Sequence, residues 1–269
     1  MNGRVALVTG VSRRAGIGFA IARRLAERGV RVFAQHHVPH DMQRAWGADP
    51  GGIEAVLEAI GGEVADAGFD LAWPDAPDAL FAAAQEAFGH IDILVCNHAS
   101  SGPDGALGEL TADMLDAHWA VNTLSSLLLA QAFAVQHDDA REGGRIVFMT
   151  SGQQLGPMPG EIAYAASKGA LAAITLTLAD ELADRGITVN CVNPGPVDTG
   201  WATPELFAAV ADRLPAGRWG EPDDAARLIA WLASDDGRWM TGQVLNSEGG
   251  FRRWAGTRGG GDPDAQRGG

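Results

Sequence analysis

Short apolar runs alternate with stretches whose apolar positions recur every three or four residues, and the alternation persists through most of the chain. The first pattern predicts buried strands, the second amphipathic helices. Val5 to Val8 is the first run and stops at Thr9-Gly10. Ile17 to Arg28 follows with helical spacing, and Gly29 stands at its end. Val30 to Gln35 reads as a second strand. His36 to Gly52, with Pro39 and Pro50, reads as irregular. Ile53 to Ile60 suits a short helix, and Glu63 to Leu71 contains a third strand. Pro77 to Phe88 reads as a helix with proline near its first turn, and Ile91 to Cys96 as a fourth strand. Thr111 begins one long helical pattern that runs to about Val135. Arg145 to Thr150 and Ile187 to Val192 supply the fifth and sixth strands, with a helix bearing Tyr164 between them. Pro222 to Ala233 reads as a helix and Gln243 to Asn246 as a short last strand. This order predicts an α/β fold, a seven-stranded parallel sheet with helices on both faces.

No internal repeat or linker divides the chain, so residues 1–255 are expected to form one domain. From Gly256 to Gly269 the chain is mostly Gly, Asp, Arg and Pro without an apolar anchor, and this tail is expected to be disordered. The 269 residues are 46% hydrophobic, ample for a core. A formal net charge of −14 argues against general binding to nucleic acid or an anionic membrane. No apolar run approaches the ~20 residues that a spanning helix needs. The start runs straight into a strand without a signal-peptide layout, so a cytoplasmic site is the default expectation. Cys96 and Cys191 fall in predicted buried strands and read as small core residues.

Thr9-Gly10-Val11-Ser12-Arg13-Arg14-Ala15-Gly16-Ile17-Gly18 lies between the first strand and the first helix. Glycines there permit a tight turn and close backbone approach, and a helix N-terminus offers free N–H groups and a positive dipole end, which suits a pyrophosphate. The second strand should end beside an adenosine ribose. The chain has His36 and His37 there, with no carboxylate before Asp41. Arg13 and Arg14 are cations able to meet a 2′-phosphate, which favours NADP. Alternatively both arginines are solvated and Asp41 folds back to the ribose, which favours NAD. The two histidines read as adenine-side or surface residues; no third ligand stands at a useful spacing, so no metal is expected.

Tyr164 is the only tyrosine, four residues before Lys168 in Tyr-Ala-Ala-Ser-Lys. A helix brings the two onto one face. A nearby ammonium favours phenolate and lowers a pKa that starts near ~10. Tyr164 is thereby a candidate proton donor or acceptor.

Taken together, these motifs resemble the short-chain dehydrogenase/reductase family over residues 3–251, and most of all its 3-oxoacyl-carrier-protein reductase-like branch. The resemblance implies a single-domain Rossmann fold and hydride transfer between NADP, or NAD, and a carbonyl or secondary alcohol. The glycine motif matches at Gly10, Gly16 and Gly18 with two extra residues in the loop. Asp70-Leu71 resembles the family's acidic contact to the adenine. Asn97-His98-Ala99-Ser100 stands where Asn-Asn-Ala-Gly is usual; Asn97 and Ala99 match and imply bracing of the sheet beside the cofactor. Asn122, Ser151, Tyr164 and Lys168 match the catalytic positions. By that resemblance, Ser151 binds the substrate oxygen and Tyr164 moves its proton. Lys168 binds the nicotinamide ribose, and Asn122 holds a water that links Lys168 to solvent. Asn193-Pro194-Gly195-Pro196-Val197-Asp198-Thr199 matches the Pro-Gly segment, with Val197 and Thr199 at the nicotinamide carboxamide. Ser12 and Ile17 complete the phosphate loop.

Substrate contacts are expected from loops at the C-terminal strand ends. Gln153, Met158 and Trp201 fall there with Ser151 and Tyr164; Trp201 and Met158 suit a hydrophobic or ring-bearing substrate, or else pack a lid or subunit contact. Trp219, Trp231 and Trp239 read as packing residues. The partners expected are a small carbonyl or alcohol and, from the resemblance, further copies of the chain in a homotetramer or homodimer. Two alternatives stay open: a 3-oxoacyl-carrier-protein reductase of fatty-acid or polyketide synthesis, and a non-catalytic NADP-binding sensor or scaffold. An enoyl reductase, suggested by the longer glycine loop, is disfavoured because such relatives space Tyr and Lys farther apart.

Overall fold

The computed structural model describes residues 1–141 and 143–254; the tail expected from Gly256 onward lies outside them. Seven parallel strands are ordered β3-β2-β1-β4-β5-β6-β7. They are β1 (Val5–Val8), β2 (Arg31–His36), β3 (Val64–Gly68), β4 (Ile93–Cys96), β5 (Gly144–Met149), β6 (Ile187–Asn193) and β7 (Val244–Asn246). The order reverses between β1 and β4. At such a switch point the loops beyond the strands' C-terminal ends diverge and leave a crevice.

Side chains alternate across the sheet and feed two cores. Phe148 of β5 joins Leu80 and Phe81 of α4 (Ala76–Phe88), Phe133 of α6 (Ser125–Gln136) and Leu171 of α7 (Ile162–Leu182). Its neighbours Val147 and Met149 join the other face with Ile21 and Leu25 of α1 (Ile17–Ala26), Val56 of α3 (Gly52–Ile60) and Ile229 of α9 (Pro222–Leu232).

Several elements differ from the pattern's prediction. The stretch read as irregular holds a short helix, α2 (Val38–Met42), started by Pro39, whose fixed φ suits a first turn. The long helix begins where Thr111 accepts a bond from the Met114 amide at 3.2 Å. It divides into α5 (Ala112–His118), a π-helical turn (Trp119–Leu124) and α6. The Ser126 hydroxyl donates to the Asn122 carbonyl at 2.9 Å and Ser125 to Val121 at 2.6 Å, which satisfies carbonyls in the widened turn. A further helix, α8 (Pro204–Ala211), is capped by Thr203.

The 24-residue stretch Ile162–Arg185 contains an 18-residue window with mean hydropathy 1.4, long and apolar enough to cross a membrane by length and composition. The expectation that no run approaches that limit therefore fails here. One side of α7 lies on the sheet through Leu171, Ala172, Thr175 and Ala179, which accounts for its apolar content on that side.

Candidate active site

The loop after β1 is drawn flat against the end of β4. Asn97 Nδ2 donates to the carbonyls of Thr9 at 3.1 Å and Gly10 at 3.3 Å. Gly10 has φ 74°, and a Cβ there would stand 2.8 Å from that nitrogen. A Cβ on Gly18 would run into the Gly10 carbonyl. From the other side, Gln35 accepts from the Gly10 amide at 2.9 Å and donates to the Phe69 carbonyl at 2.7 Å. The Ser12 hydroxyl accepts from the His37 amide at 3.1 Å. α1 then starts at Ile17 with Gly16 as an N-cap that makes no side-chain bond, and its first turn has no acidic residue. This uncapped, carboxylate-free helix start behind a cradle that a methyl group would fill fits a dinucleotide pyrophosphate.

The adenosine end is more heavily paired than expected. Neither arginine is a free cation. Arg13 Nε donates to Asp41 Oδ1 at 3.0 Å, Arg13 also reaches the Thr199 carbonyl at 3.1 Å, and its guanidinium lies over the Trp46 ring. Arg14 holds Asp49 at 2.6 Å and keeps that carboxyl well below its ordinary range. Asp41 takes Arg13 and the Trp46 indole N–H. His36 pairs with Asp66 at 3.2 Å, and His37 stands 3.7 Å from Asp70. Asp70 Oδ1 accepts from the Ala72 amide at 3.0 Å, and Leu71 beside it is buried.

Near the end of β4, His98 joins three elements. Its Nδ1 accepts from the Thr9 hydroxyl at 2.6 Å, and its Nε2 lies 2.9 Å from the Val121 carbonyl, which fixes the Nε2–H tautomer. Burial, followed by the Lys168 charge, pushes its pKa down to about 3, so this residue is a neutral strut. The bulkier ring therefore replaces the usual Asn as a brace, and Ala99 beyond it is exposed.

Ser151, just past β5, and Tyr164, in the first turn of α7, come close enough for the serine hydroxyl to favour ionisation of the phenol. Burial outweighs this, and with the Glu161 charge pushes Tyr164 up to about 12. The expectation that Lys168 lowers the phenol's pKa is thus corrected. Lys168 Nζ donates instead to the Met149 carbonyl at 3.0 Å, and burial brings its own pKa down to about 8. The i to i+4 spacing puts the two on one helical face, but the long lysine stem carries the ammonium into the sheet.

The Asn122 side chain is engaged on both its oxygen and its nitrogen. Its Oδ1 accepts from the Ser100 amide at 2.7 Å, and its Nδ2 donates to the Ser100 carbonyl and the Ser167 hydroxyl, both at 2.9 Å. Ser167 in turn donates to the Tyr164 carbonyl at 2.8 Å. The Asn122 side chain therefore ties the loop after β4 to α7, and the π turn aims it there.

On the substrate side Gln153 turns inward, its Nε2 donating to Thr150 at 2.9 Å while its buried Oε1 has no hydrogen-bond partner among the described residues. Met158 is half-buried in the same loop. Trp201 meets buried Trp219 edge-on, 5.7 Å between centroids, and Phe207 of α8 stacks on Trp219 at 5.2 Å. Trp239, expected to pack, is 96% exposed. In the Pro194-Gly195 segment, a Cβ on Gly195 would overlap Glu248, while Val197 is buried and bridges Gly220.

One contributor had no signal in the motif pattern. Arg253, beyond β7, pairs with Glu248 at 2.5 and 2.7 Å, and its guanidinium lies on Gly152, directly after Ser151. Glu248 also accepts from Asn193 Nδ2 at 3.0 Å. The pair thus ties the end of β6 to the loop that follows Ser151.

A glycine cradle at the switch point, with a serine and a tyrosine close together past the next strands, defines a nicotinamide-dependent oxidoreductase. Comparison with known proteins agrees. Residues 10–252 match the family model described as enoyl-(acyl carrier protein) reductase. The chain is 44% identical over 254 residues to the uncharacterized oxidoreductase YjdA of Bacillus subtilis (strain 168), covering 93% of this chain and 97% of that one. It is 34% identical over 265 residues to 3beta-hydroxysteroid dehydrogenase 1 of Eggerthella lenta, covering 95% and 96%. The crystal structure of a blue fluorescent protein from a metagenomic library in complex with NADPH superposes with a TM-score of 0.82, at 34% identity, over 93% of this chain and 98% of that one. The chain belongs to the short-chain dehydrogenase/reductase family and is an NAD(P)-dependent oxidoreductase acting on a small molecule.

Proposed function

We propose that the protein interconverts a carbonyl compound and its secondary alcohol with NADP(H), using Tyr164 as the proton-transferring group. The observation that carries this is the closeness of Ser151 to the sole phenol of the chain, near enough for its hydroxyl to favour phenolate. When bound, the nicotinamide supplies or takes up the hydride. Gly10, Gly16, Gly18 and the start of α1 hold the pyrophosphate; Asp70 and Leu71 flank the adenine; Val197 and Thr199 take the carboxamide. Ser151 donates a hydrogen bond to the substrate oxygen, and Tyr164 gives that oxygen its proton or removes it in the reverse direction. Donors fixed beforehand stabilise the alkoxide as its charge develops. Lys168, charged below about 8, holds the nicotinamide ribose.

Arg13 and Arg14 support NADP, with Asp41 in competition for Arg13. The four-residue interval from Tyr164 to Lys168 supports carbonyl chemistry over enoyl reduction. The acidic chain offers no global attraction to an acidic carrier protein, so a small free substrate is the better reading than a carrier-bound one. We further read the protein as a cytoplasmic homotetramer or homodimer. In support, Leu115 and Trp119 line a groove with Ala166 of α7, and Leu176 on that helix is 67% exposed.

The test is turnover of a panel of ketones, aldehydes and β-ketoacyl thioesters with NADPH and NADH. Tyr164→Phe should keep cofactor binding and lose about a hundredfold or more of kcat. Parent-like turnover in that variant rejects the role.

A further inference from the structure

α7, which presents Tyr164, makes no side-chain cap of its own at Glu161. The cap comes from Asp104, in the loop between β4 and α5. Its carboxylate accepts from the amide of Tyr164 itself at 2.8 Å, from Ala163 at 3.0 Å and from Gly105 at 2.8 Å. Burial raises the Asp104 pKa, but these three donors outweigh it and hold the carboxyl below its ordinary range, so the cap is an anion facing the helix dipole. On the other side stands His118, the last residue of α5 and fully buried. Its Nδ1 donates to the Met114 carbonyl at 2.8 Å. Its Nε2 has no hydrogen-bond partner among the described residues and stands 3.9 Å from Asp104 Oδ2. The imidazole meets the Tyr164 ring edge-on, 6.3 Å between centroids at 77°.

A buried imidazole that leaves one nitrogen unmatched costs stability, so its presence calls for a reason. Here its ring is in contact with the aromatic ring that carries the reacting hydroxyl. We propose that Asp104 and His118 are positioning residues for Tyr164, the carboxylate fixing its backbone amide and the imidazole backing its ring. The inference rests on the proton-transfer reading of Tyr164. It also links that residue to the loop between β4 and α5, one of the loops past the C-terminal strand ends.

The test uses the full chain. Asp104→Asn keeps the size and removes the charge. His118→Ala removes the ring, and His118→Phe restores an aromatic edge without the nitrogens. Tyr164 is the only tyrosine, so phenolate absorbance titrates this residue alone. Asp104→Asn and His118→Ala should lower kcat about tenfold or more, with KM for the nicotinamide cofactor within about threefold of the parent. Both should also move the tyrosine midpoint down from about 12, because burial raises it and loosened packing admits water. His118→Phe should recover most of kcat. Folded variants, judged by parental circular dichroism, that keep both kcat and the midpoint overturn the proposal. If Asp104→Asn does not fold, His118→Ala and His118→Phe decide alone. The titration needs no turnover, so it still decides this proposal if the carbonyl panel fails and the functional reading falls.

Discussion

The Lys168 ammonium is hydrogen-bonded to the Met149 carbonyl at 3.0 Å, one helical turn from a phenol that it does not touch. The lysine side chain is buried, and its pKa falls from an ordinary 10.5 to about 8. Below about 8 it is charged in both folded and unfolded chains, and the fold bears the full burial cost. Above 10.5 it is neutral in both and the cost vanishes. Between those values the unfolded chain binds more protons, so this group's contribution to stability rises with pH. Lys168→Met should therefore be more stable than the parent at pH 7, by at most about 3 kcal/mol. The gap should close as pH rises through that window. Denaturant melts at several pH values check this; a gap that does not change with pH contradicts it.

Gly18 leaves no room for a side chain, since a Cβ would meet the Gly10 carbonyl and stand 2.8 Å from Asn97 Nδ2. Gly18→Ala should cost about 2 kcal/mol of stability through overpacking and weaken NADPH binding about tenfold, read by fluorescence titration. Binding equal to the parent's would show that the cradle is not where the phosphates sit.

Arg253 and Gly152 interlock, because a Cβ on Gly152 would overlap the guanidinium. Gly152→Ala alone should lower kcat about tenfold. Arg253→Ala alone should change substrate preference toward bulkier carbonyls. The double variant should recover part of the loss, a coupling on the order of 1 kcal/mol in a double-mutant cycle. Additive effects would mean that the two residues act separately.

The Asp41 carboxylate accepts from Arg13, the cation proposed above to favour NADP, at 3.0 Å. Asp41→Ala should raise the ratio of kcat/KM for NADPH over NADH about threefold or more, and Arg13→Ala should lower it. If neither substitution moves the ratio, Arg13 does not read the phosphate.

The parts of this protein set by local rules could be read from sequence. The strand runs, the glycines at 10, 16 and 18, and the helix placing Tyr164 beside Lys168 depend on neighbours a few positions away. The two Arg partners could not be read, because Asp41 and Asp49 lie 28 and 35 positions from Arg13 and Arg14. The Lys168 contact was missed because a flexible stem has several acceptors in reach and spacing alone does not choose among them. The π turn was missed because its hydroxyl-to-carbonyl bonds leave the apolar period almost intact. α8 was more accessible: Thr203-Pro204-Glu205 is a capping residue followed by proline at the first helical position. Its exposed apolar face hid it, as the absence of packing hid the 96% exposure of Trp239.

The Glu248–Arg253 pair comes after every strand of the sheet in sequence. A nascent chain that has emerged only through β6 already carries Ser151, Tyr164 and Lys168, yet nothing covers the glycine beside that serine. Competence should then arrive late in synthesis, and trimming the chain just before residue 253 should leave a folded but poorly organised enzyme.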